Sequence, residues 1–340
     1  MLGKALLLLA GLVTILIAAE CFTNGIETLG RKFSLSQAVV GSILAAVGTA
    51  LPETILPIVA IFLSGGASAN EIGLGAILGA PFMLSTLAFF LVGLTALLSY
   101  SKKRRAFVIT IEAHSTKRDL VFFLPMYSAA VLIPLVAGKG FSAVIAILLI
   151  AGYVFYAYRT FRCDSADIEH SGGMYLWRLA RALKLTSEST PHFMLILLQV
   201  IGALSLMVAG AHTFVKSLER ISAAFGMNPL LFALILAPVA TELPEKFNSV
   251  TWTWKGRDTL AIGNITGAMV FQSTFPVSVG LLFTKWELTG MALFSAILAL
   301  TSALIVLGEI TFRKRVSPVT LLLCGGLYLI YVIALIVRAA

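Results

Sequence analysis

The residues of this chain that could carry chemistry stand in two short motifs inside long apolar runs. The motifs are Gly48-Thr49-Ala50-Leu51-Pro52-Glu53 and Ala240-Thr241-Glu242-Leu243-Pro244-Glu245. Carboxylate, hydroxyl and carbonyl oxygens are the ligands that hard cations prefer. An ionisable side chain at the bilayer centre costs roughly 2.5 to 3.5 kcal/mol on insertion scales. Several acidic residues kept at that depth indicate a functional site.

Each motif also has a proline directly before its last glutamate. Proline has no N–H, so the carbonyl four residues earlier, that of Gly48 or Ala240, loses its intrahelical partner. Unpaired backbone at membrane depth is tolerated where it lines a cavity, and transporters bind ions on discontinuous helices. We therefore predict two broken helices that form a cation site.

Composition excludes the soluble classes. Of the 340 residues, 59% are hydrophobic and only 12% are charged, which is typical of polytopic membrane proteins. The net charge of +9 would favour a nucleic-acid partner in a soluble protein. Here the basic residues cluster in alternate short loops and indicate topology instead, with both termini outside. We expect a lipid bilayer and small cations as partners, no nucleic acid and no cofactor.

The apolar runs predict an all-α integral membrane protein with about ten transmembrane helices. An apolar run that continues as far as Glu20 and Asn24 favours a retained first helix over a signal peptide. An amphipathic stretch from Met174 to Leu185 predicts an interfacial helix between the fifth and sixth spans. The expected spans are 3–29, 36–63, 71–99, 119–137, 140–160, 191–219, 227–253, 259–284, 287–309 and 316–338.

The chain repeats itself at an offset of 192 positions, the distance between Glu53 and Glu245. Five spans per copy is an odd number, so the copies must enter the membrane from opposite sides. The sequence therefore predicts two inverted five-helix repeats, 1–160 and 191–340, joined by an inner-side linker, 161–190. Secondary transporters of this kind bind substrate near the midplane. The matching pairs are Phe22 and Phe214, Glu27 and Glu219, Phe33 and Phe225, Thr49 and Thr241, Leu51 and Leu243, and Pro52 and Pro244.

Glycines follow each motif at a spacing that lets helices approach closely. They are Gly75 and Gly79 in the first repeat, and Gly263 and Gly267 in the second. We expect them to bring the third and eighth spans against the site.

The two motifs, together with Gly263-Asn264-Ile265-Thr266-Gly267, resemble the alpha-repeats of the calcium/cation antiporter superfamily, the membrane region of sodium/calcium exchangers. The resemblance covers nearly the whole chain. It implies that Glu53 and Glu245 are the central calcium ligands and that Thr49 and Thr241 contribute oxygens beside them. Asn264 matches a further ligand position of the family.

The chain departs from the family in the helix after each motif. The family pattern there is Gly-Asn-x-x-Gly-Ser-Asn-x-x-Asn or Asp, whose side-chain oxygens resemble sodium ligands. The first repeat has Ala76, Ala80, Pro81 and Leu84 at these oxygen-bearing positions. The second repeat keeps Asn264 but has Ala268, Met269 and Gln272. Sodium coupling of the usual stoichiometry is therefore in question.

Two unusual charges accompany these departures. Glu242 replaces a small residue, and Lys246 follows Glu245 at the i,i+4 spacing from Glu242 that favours an ion pair. One hypothesis is that Lys246 acts as a tethered cation that makes exchange proton-coupled or lowers its sodium demand. The alternative is that Lys246 neutralises Glu242 and extends away to the membrane surface.

Other polar residues have weaker patterns. Asn248 and Ser249 lie one turn beyond Glu245 and would extend the polar path, with Gln272 as a further coupling candidate. Glu20 lies on one helix face with Asn24 and Glu27, which either line an access route or form a solvated or paired helix end. Two groups lie near helix ends: His114, Glu112 and Asp119, interpreted as a solvated loop, and Glu309 with Arg313, interpreted as an i,i+4 pair.

These patterns favour a secondary active cation antiporter in the cell membrane, most simply for Ca²⁺ against Na⁺ or H⁺. Alternatives are an antiporter of other specificity (Na⁺/H⁺ or another divalent metal), a non-transporting membrane protein, and an intramembrane lipid-phosphate hydrolase. The hydrolase lacks support because its chemistry needs a cationic clamp or a nucleophile, and the core offers Lys246 without an arginine. Sequence leaves the oligomeric state open.

Overall fold

The computed structural model describes residues 2–33, 46–103, 106–163, 173–183, 191–288 and 290–339. Within these ranges the side chains of residues 31, 46–49, 161–163, 243–245 and 339 are not described. The helices are α1 (Leu2–Lys32), α2 (Ala46–Ile58), α3 (Ala67–Met83), α4 (Phe89–Ser101), α5 (Ala113–Ala137), α6 (Ser142–Cys163), α7 (Tyr175–Ala182), α8 (Phe193–Ala224), α9 (Pro229–Trp254), α10 (Asp258–Gln272), α11 (Phe275–Phe283), α12 (Gly290–Arg313) and α13 (Pro318–Ala339).

The architecture confirms an all-α membrane protein. Over the described ranges, eight helical stretches are long and apolar enough to cross a membrane. Two shorter apolar stretches, Ala50–Leu63 and Pro229–Glu242, fall on the expected second and seventh spans, which carry the two motifs. Together they account for the ten expected spans. The amphipathic linker stretch also forms the expected helix, α7.

The prediction that the prolines break the motif helices is wrong. Helix α2 runs from Ala46 through Pro52, and α9 runs through both Pro238 and Pro244. A helix survives such a proline when the surrounding helices hold it in place. An irregularity appears about two turns after Pro52, where Val59–Leu63 is a π-helix and Ser64 N–H donates to Val59 O at 2.9 Å. Single π turns of this kind are frequent at functional sites.

The discontinuous helix lies instead in the expected eighth span. Helix α10 ends at Gln272 and α11 begins at Phe275. Pro276 stands in the first turn of α11, where its missing N–H leaves no intrahelical bond unmade. The Thr274 hydroxyl donates to Val270 O at 2.8 Å across the break.

Helices α1 and α8, the first helices of the two expected repeats, pack against each other in opposite directions. Lys4 Nζ donates to Arg220 O at 3.4 Å at one end, and Lys32 Nζ donates to Pro191 O at 2.9 Å at the other. Between them, a Cβ on Gly11 would lie 2.9 Å from Gly210 O. The antiparallel pair agrees with repeats of inverted topology.

Helices α3 and α9 pack in the same direction, through the glycines of α3. A Cβ on Gly75 would lie 2.2 Å from Leu230 O, and one on Gly79 would lie 2.1 Å from Leu234 O. The third span therefore lies against the second motif helix, as expected. For Gly263 and Gly267 the repeat offset gives partners at positions 38 and 42, which lie outside the described residues.

The linker helix α7 is fixed to α1 and α8 by side-chain caps at its first turn. Asn24 Oδ1 accepts from Tyr175 N–H at 3.0 Å, and Gln199 Oε1 accepts from Leu176 N–H at 2.8 Å. These bonds satisfy N–H groups that a helix start leaves without partners. The linker helix thus docks on the antiparallel pair α1 and α8.

Candidate functional site

Helix α2 carries Glu53 and packs against helices of both repeats. The helix contacts α1, α8 and α9. Glu53 is half-buried with its Oε2 atom shielded from solvent, and its neighbours Pro52 and Thr54 are buried. Thr49 lies on the same helix, but its side chain is outside the described residues. One predicted ligand is therefore placed at a protected position within the helix bundle.

Helix α9 buries two charged side chains one turn apart. Glu242 and Lys246 are each 1% exposed. Thr241 is also buried, and its hydroxyl donates to Ala237 O at 3.0 Å, which leaves the lone pairs of Oγ1 directed elsewhere. Burial of Lys246 contradicts the alternative in which its ammonium extends to the membrane surface. The side chain of Glu245, the last residue of this motif and a predicted calcium ligand, lies outside the described residues.

Helix α10 adds an amide to the polar face of α9. Asn264 is half-buried and its Nδ2 donates to Ser249 Oγ at 3.2 Å, while Ser249 is 1% exposed. Gln272, the last residue of α10, is buried as well. Asn248 differs from the expectation that it extends the polar path, because its side chain is exposed. Residues adjacent in a helix point about 100° apart, so only Ser249 faces inward.

The third span packs closely against the backbone of α9. It carries no side-chain oxygen at the positions where the related family has oxygen-bearing residues. Ala76, Ala80 and Leu84 are all buried, and Gly79 beside them lies against Leu234 O. These positions of the third span are therefore buried and apolar.

Glu20 stands apart from the two motif helices. Its Oε1 accepts a hydrogen bond from Tyr175 Oη at 2.8 Å, so it forms part of the docking contact of α7. This arrangement favours the paired-end interpretation of the Glu20 face over an access route. The Tyr175 hydrogen bond to Glu20, with a smaller effect of burial, raises the pKa of Tyr175 above its usual value.

Within the described residues, no group of three or more Asp, Glu, His or Cys side chains lies close enough to hold a metal ion. The side chain of Glu245 lies outside these residues.

Comparison with known proteins decides the family. The model of the sodium/calcium exchanger protein family matches residues 3–162 and 195–337, which together are most of the chain. The chain belongs to this family. It is therefore a multi-pass membrane protein of a cation-exchanging family, not an enzyme.

Several relatives resemble this exchanger over most of their length. An uncharacterized membrane protein of Methanocaldococcus jannaschii is 26% identical over 275 residues, 81% of this chain and 80% of its own. The putative antiporter CaxA of Alkalimonas amylolytica is 24% identical over 361 residues, 97% of this chain and 99% of its own.

Solved structures share the fold of this exchanger. The H⁺/Ca²⁺ exchanger CAX superposes with a TM-score of 0.70 at 17% identity, covering 98% of this chain and 82% of its own. The sodium-calcium exchanger NCX_Mj superposes with a TM-score of 0.56 at 20% identity, covering 97% of each chain.

Sequence reasoning missed one buried polar cluster in this exchanger. Asp119 was expected in a solvated loop, but it lies in α5 and is 3% exposed. Its Oδ2 accepts from Thr266 Oγ1 of α10 at 2.7 Å, and its Oδ1 accepts from Tyr156 Oη of α6 at 3.0 Å. Arg118 Nη2 lies 3.3 Å from the same Oδ1. The available signal was the carboxylate standing directly before the apolar run of the fourth span.

The predicted pair at the end of α12 is confirmed. Arg313 Nη1 lies 3.7 Å from Glu309 Oε1, and the second oxygen of Glu309 accepts from Ser317 N–H at 3.1 Å. This glutamate closes the turn into α13 and takes no part in the site.

Proposed function

We propose that this exchanger moves Ca²⁺ across the membrane in exchange for protons, by alternating access at a site between α2 and α9. The observation that carries the proposal is the burial of Glu242 and Lys246 on α9, which contacts α2 with its half-buried Glu53. Ionisable groups within a membrane-spanning bundle are expensive and mark ion pathways.

The donor set suits a divalent cation. Ca²⁺ takes six to eight oxygen ligands. Bidentate Glu53 and Glu245 would supply four, and the hydroxyls of Thr49 and Thr241 would bring the number to six. The carbonyls of Gly48 and Ala240, which the prolines leave without an N–H partner, are further candidates.

The charges support the same conclusion. Glu53, Glu242, Glu245 and Lys246 are three acids and one base. In their ionised forms they leave two net negative charges, which one divalent cation neutralises. Protonation of two carboxylates gives the same neutrality without Ca²⁺. Such competition supplies the difference in affinity that exchange requires.

Protons are the favoured counter-ion because the third span is apolar at Ala76, Ala80 and Leu84. A bound Na⁺ needs several oxygen ligands of its own, whereas a proton needs only a carboxylate. Lys246 would then hold a fixed positive charge beside the acids, where a second cation would otherwise be required. The H⁺/Ca²⁺ exchanger CAX shares the fold, which makes this coupling compatible with the architecture. Na⁺ remains the alternative counter-ion.

The test is Ca²⁺ uptake into proteoliposomes under an imposed proton gradient or an imposed sodium gradient. We expect uptake under the proton gradient, loss of uptake in Glu53→Gln, and normal uptake in Glu112→Gln, which removes an exposed carboxylate outside the bundle. Uptake under the sodium gradient alone would identify Na⁺ as the counter-ion. No Ca²⁺ movement under either gradient would overturn the proposal.

A second variant tests the role of Lys246. We expect Lys246→Ala to alter the cation dependence of uptake, so that Na⁺ stimulates it, because the fixed charge is gone. A variant that retains the wild-type response to both gradients would show that Lys246 only neutralises Glu242.

A further inference from the structure

A basic cavity lies between α5 and α6, away from the motif helices. It has a volume of about 380 Å³ and is lined by His114, Lys117, Arg118, Val121, Phe122 and Arg159. Lys117, Arg118 and Arg159 bring three permanent positive charges to one small space.

Among the residues that the structure describes, no carboxylate lines this cavity. Asp119, next in sequence to Arg118, is turned toward the interior, where it accepts hydrogen bonds from Thr266 and Tyr156. Glu112 is exposed on the preceding turn and is not part of the lining. The cavity is therefore complementary to an anion.

An apolar groove continues from the basic cavity along the same pair of helices. It has a volume of about 410 Å³ and shares Val121 and Phe122 with the basic cavity. Its other walls include Pro125, Ala129 and Leu148. Leu148 is 64% exposed on the outer surface of the bundle. Apolar surface at this position within two membrane spans faces lipid chains.

Helices α5 and α6 approach each other closely along the groove. A Cβ on Gly152 of α6 would lie 2.4 Å from Met126 Cε of α5, so only glycine allows this approach without displacing Met126. Nearer the basic cavity, the rings of Phe122 and Tyr156 meet edge to face with centroids 5.3 Å apart. The groove is thus bounded by packed side chains along its length.

We propose that the two joined cavities bind one anionic phospholipid. The phosphate of the headgroup would lie among Lys117, Arg118 and Arg159, and an acyl chain would follow the groove past Ala129. Basic pockets between transmembrane helices on one membrane face are recognised as sites for anionic headgroups. A soluble anion would use the basic cavity alone, whereas the apolar continuation fits only a ligand with a hydrocarbon chain.

The site is connected to the transport helices. Arg118 lies in the cavity wall and also contacts Asp119, which holds Thr266 of α10. On the same helix, Asn264 contacts Ser249 of α9. A phosphate that draws Arg118 toward the cavity would weaken its contact with Asp119 and so change how α10 is held.

The experiment measures lipid retained by the full-length protein in detergent, by native mass spectrometry, with added phosphatidylglycerol or phosphatidylcholine. We expect one retained phosphatidylglycerol and no comparable phosphatidylcholine. In Lys117→Ala/Arg159→Ala we expect roughly thirtyfold weaker retention, since each basic side chain at a membrane surface contributes about fivefold. Arg178→Ala/Arg181→Ala is the matched control, because it removes two exposed arginines from the linker helix, outside the cavity.

A second variant separates a lipid from a free anion. Ala129→Trp fills the apolar groove and leaves every basic residue in place, so we expect it to abolish phosphatidylglycerol retention. Equal retention in the cavity variant and the linker control would overturn the proposal. Displacement of the lipid by millimolar inorganic phosphate, or full retention in Ala129→Trp, would also overturn it by showing an anion site that does not recognise the chain.

Discussion

The contact between α3 and α9 makes the sharpest prediction, for Gly79→Ala. A Cβ at this position would lie 2.1 Å from Leu234 O and 2.7 Å from Pro238 Cγ. Cβ atoms essentially never approach a heavy atom within 3.0 Å. The two backbones must therefore separate by about 0.9 Å, the difference between 3.0 Å and the 2.1 Å distance to Leu234 O. Two rigid helix backbones accommodate such a shift poorly. Overpacking of this kind typically costs about 1 to 3 kcal/mol.

A matched variant isolates that cost. Gly202→Ala lies within α8, where no heavy atom is within 4 Å of the added Cβ. Both substitutions gain the helix propensity of alanine, about 0.5 to 1 kcal/mol. The difference in unfolding free energy between the two variants should therefore equal the overpacking cost, about 1 to 3 kcal/mol. Denaturant unfolding of the purified protein in mixed micelles measures it.

Transport should be affected as well. Leu234 lies about two turns before Glu242 on α9, so a displacement at Leu234 would shift the buried carboxylate of Glu242. A misplacement of about 1 Å can reduce a positioned reaction by about a hundredfold, and we expect at least a tenfold loss of exchange in Gly79→Ala. If the Gly79 and Gly202 variants unfold alike and transport alike, the tight packing of α3 on α9 is refuted.

Three further predictions concern contacts outside the motif helices. Asp119→Asn should lower the unfolding free energy by about 1 to 3 kcal/mol, because Thr266 loses a charge-assisted acceptor; unchanged denaturant unfolding would contradict this. Gln199→Ala should speed amide hydrogen exchange at the start of α7 by about 2- to 30-fold, as expected for a lost helix cap worth about 0.5 to 2 kcal/mol; equal exchange rates would show that the cap is unimportant. The raised pKa of Tyr175 means that its bond to Glu20 is fully present below about pH 10 and is lost as pH rises through the raised value. Exchange in α7 should therefore accelerate there, and Tyr175→Phe should remove the pH step.

The periodicity of apolar residues was sufficient to predict the architecture. Spans of the right length and an odd number of them per repeat led to inverted halves, and α1 and α8 do run in opposite directions. The Gly75 and Gly79 spacing also predicted a close helix contact correctly. These features depend on local composition and chain connectivity, which are visible in a sequence.

Features that depend on neighbouring helices could not be predicted. A proline within a helix removes one hydrogen bond, but whether the helix then breaks depends on the packing around it. Packing holds α2 and α9 intact through Pro52 and Pro244, while the break falls at Ser273 and Thr274. Asp119 was misplaced for the same reason, because its partners come from distant parts of the chain.

The two departures from the family pattern have a common physical explanation. Where related exchangers carry side-chain oxygens, α3 has small apolar residues and a glycine that lies against the α9 backbone. Without side-chain oxygens at Ala76, Ala80 and Leu84, this span would not supply those ligands to an additional cation. We infer that three acids alone would then leave excess negative charge when one divalent ion is bound. Lys246, buried on α9, offsets that charge permanently. Conversely, an ammonium fixed beside oxygen-lined sodium sites would repel the ions they bind. The apolar positions of α3 and the buried lysine are therefore compatible with each other, and both support the proposal that the counter-ion is a proton.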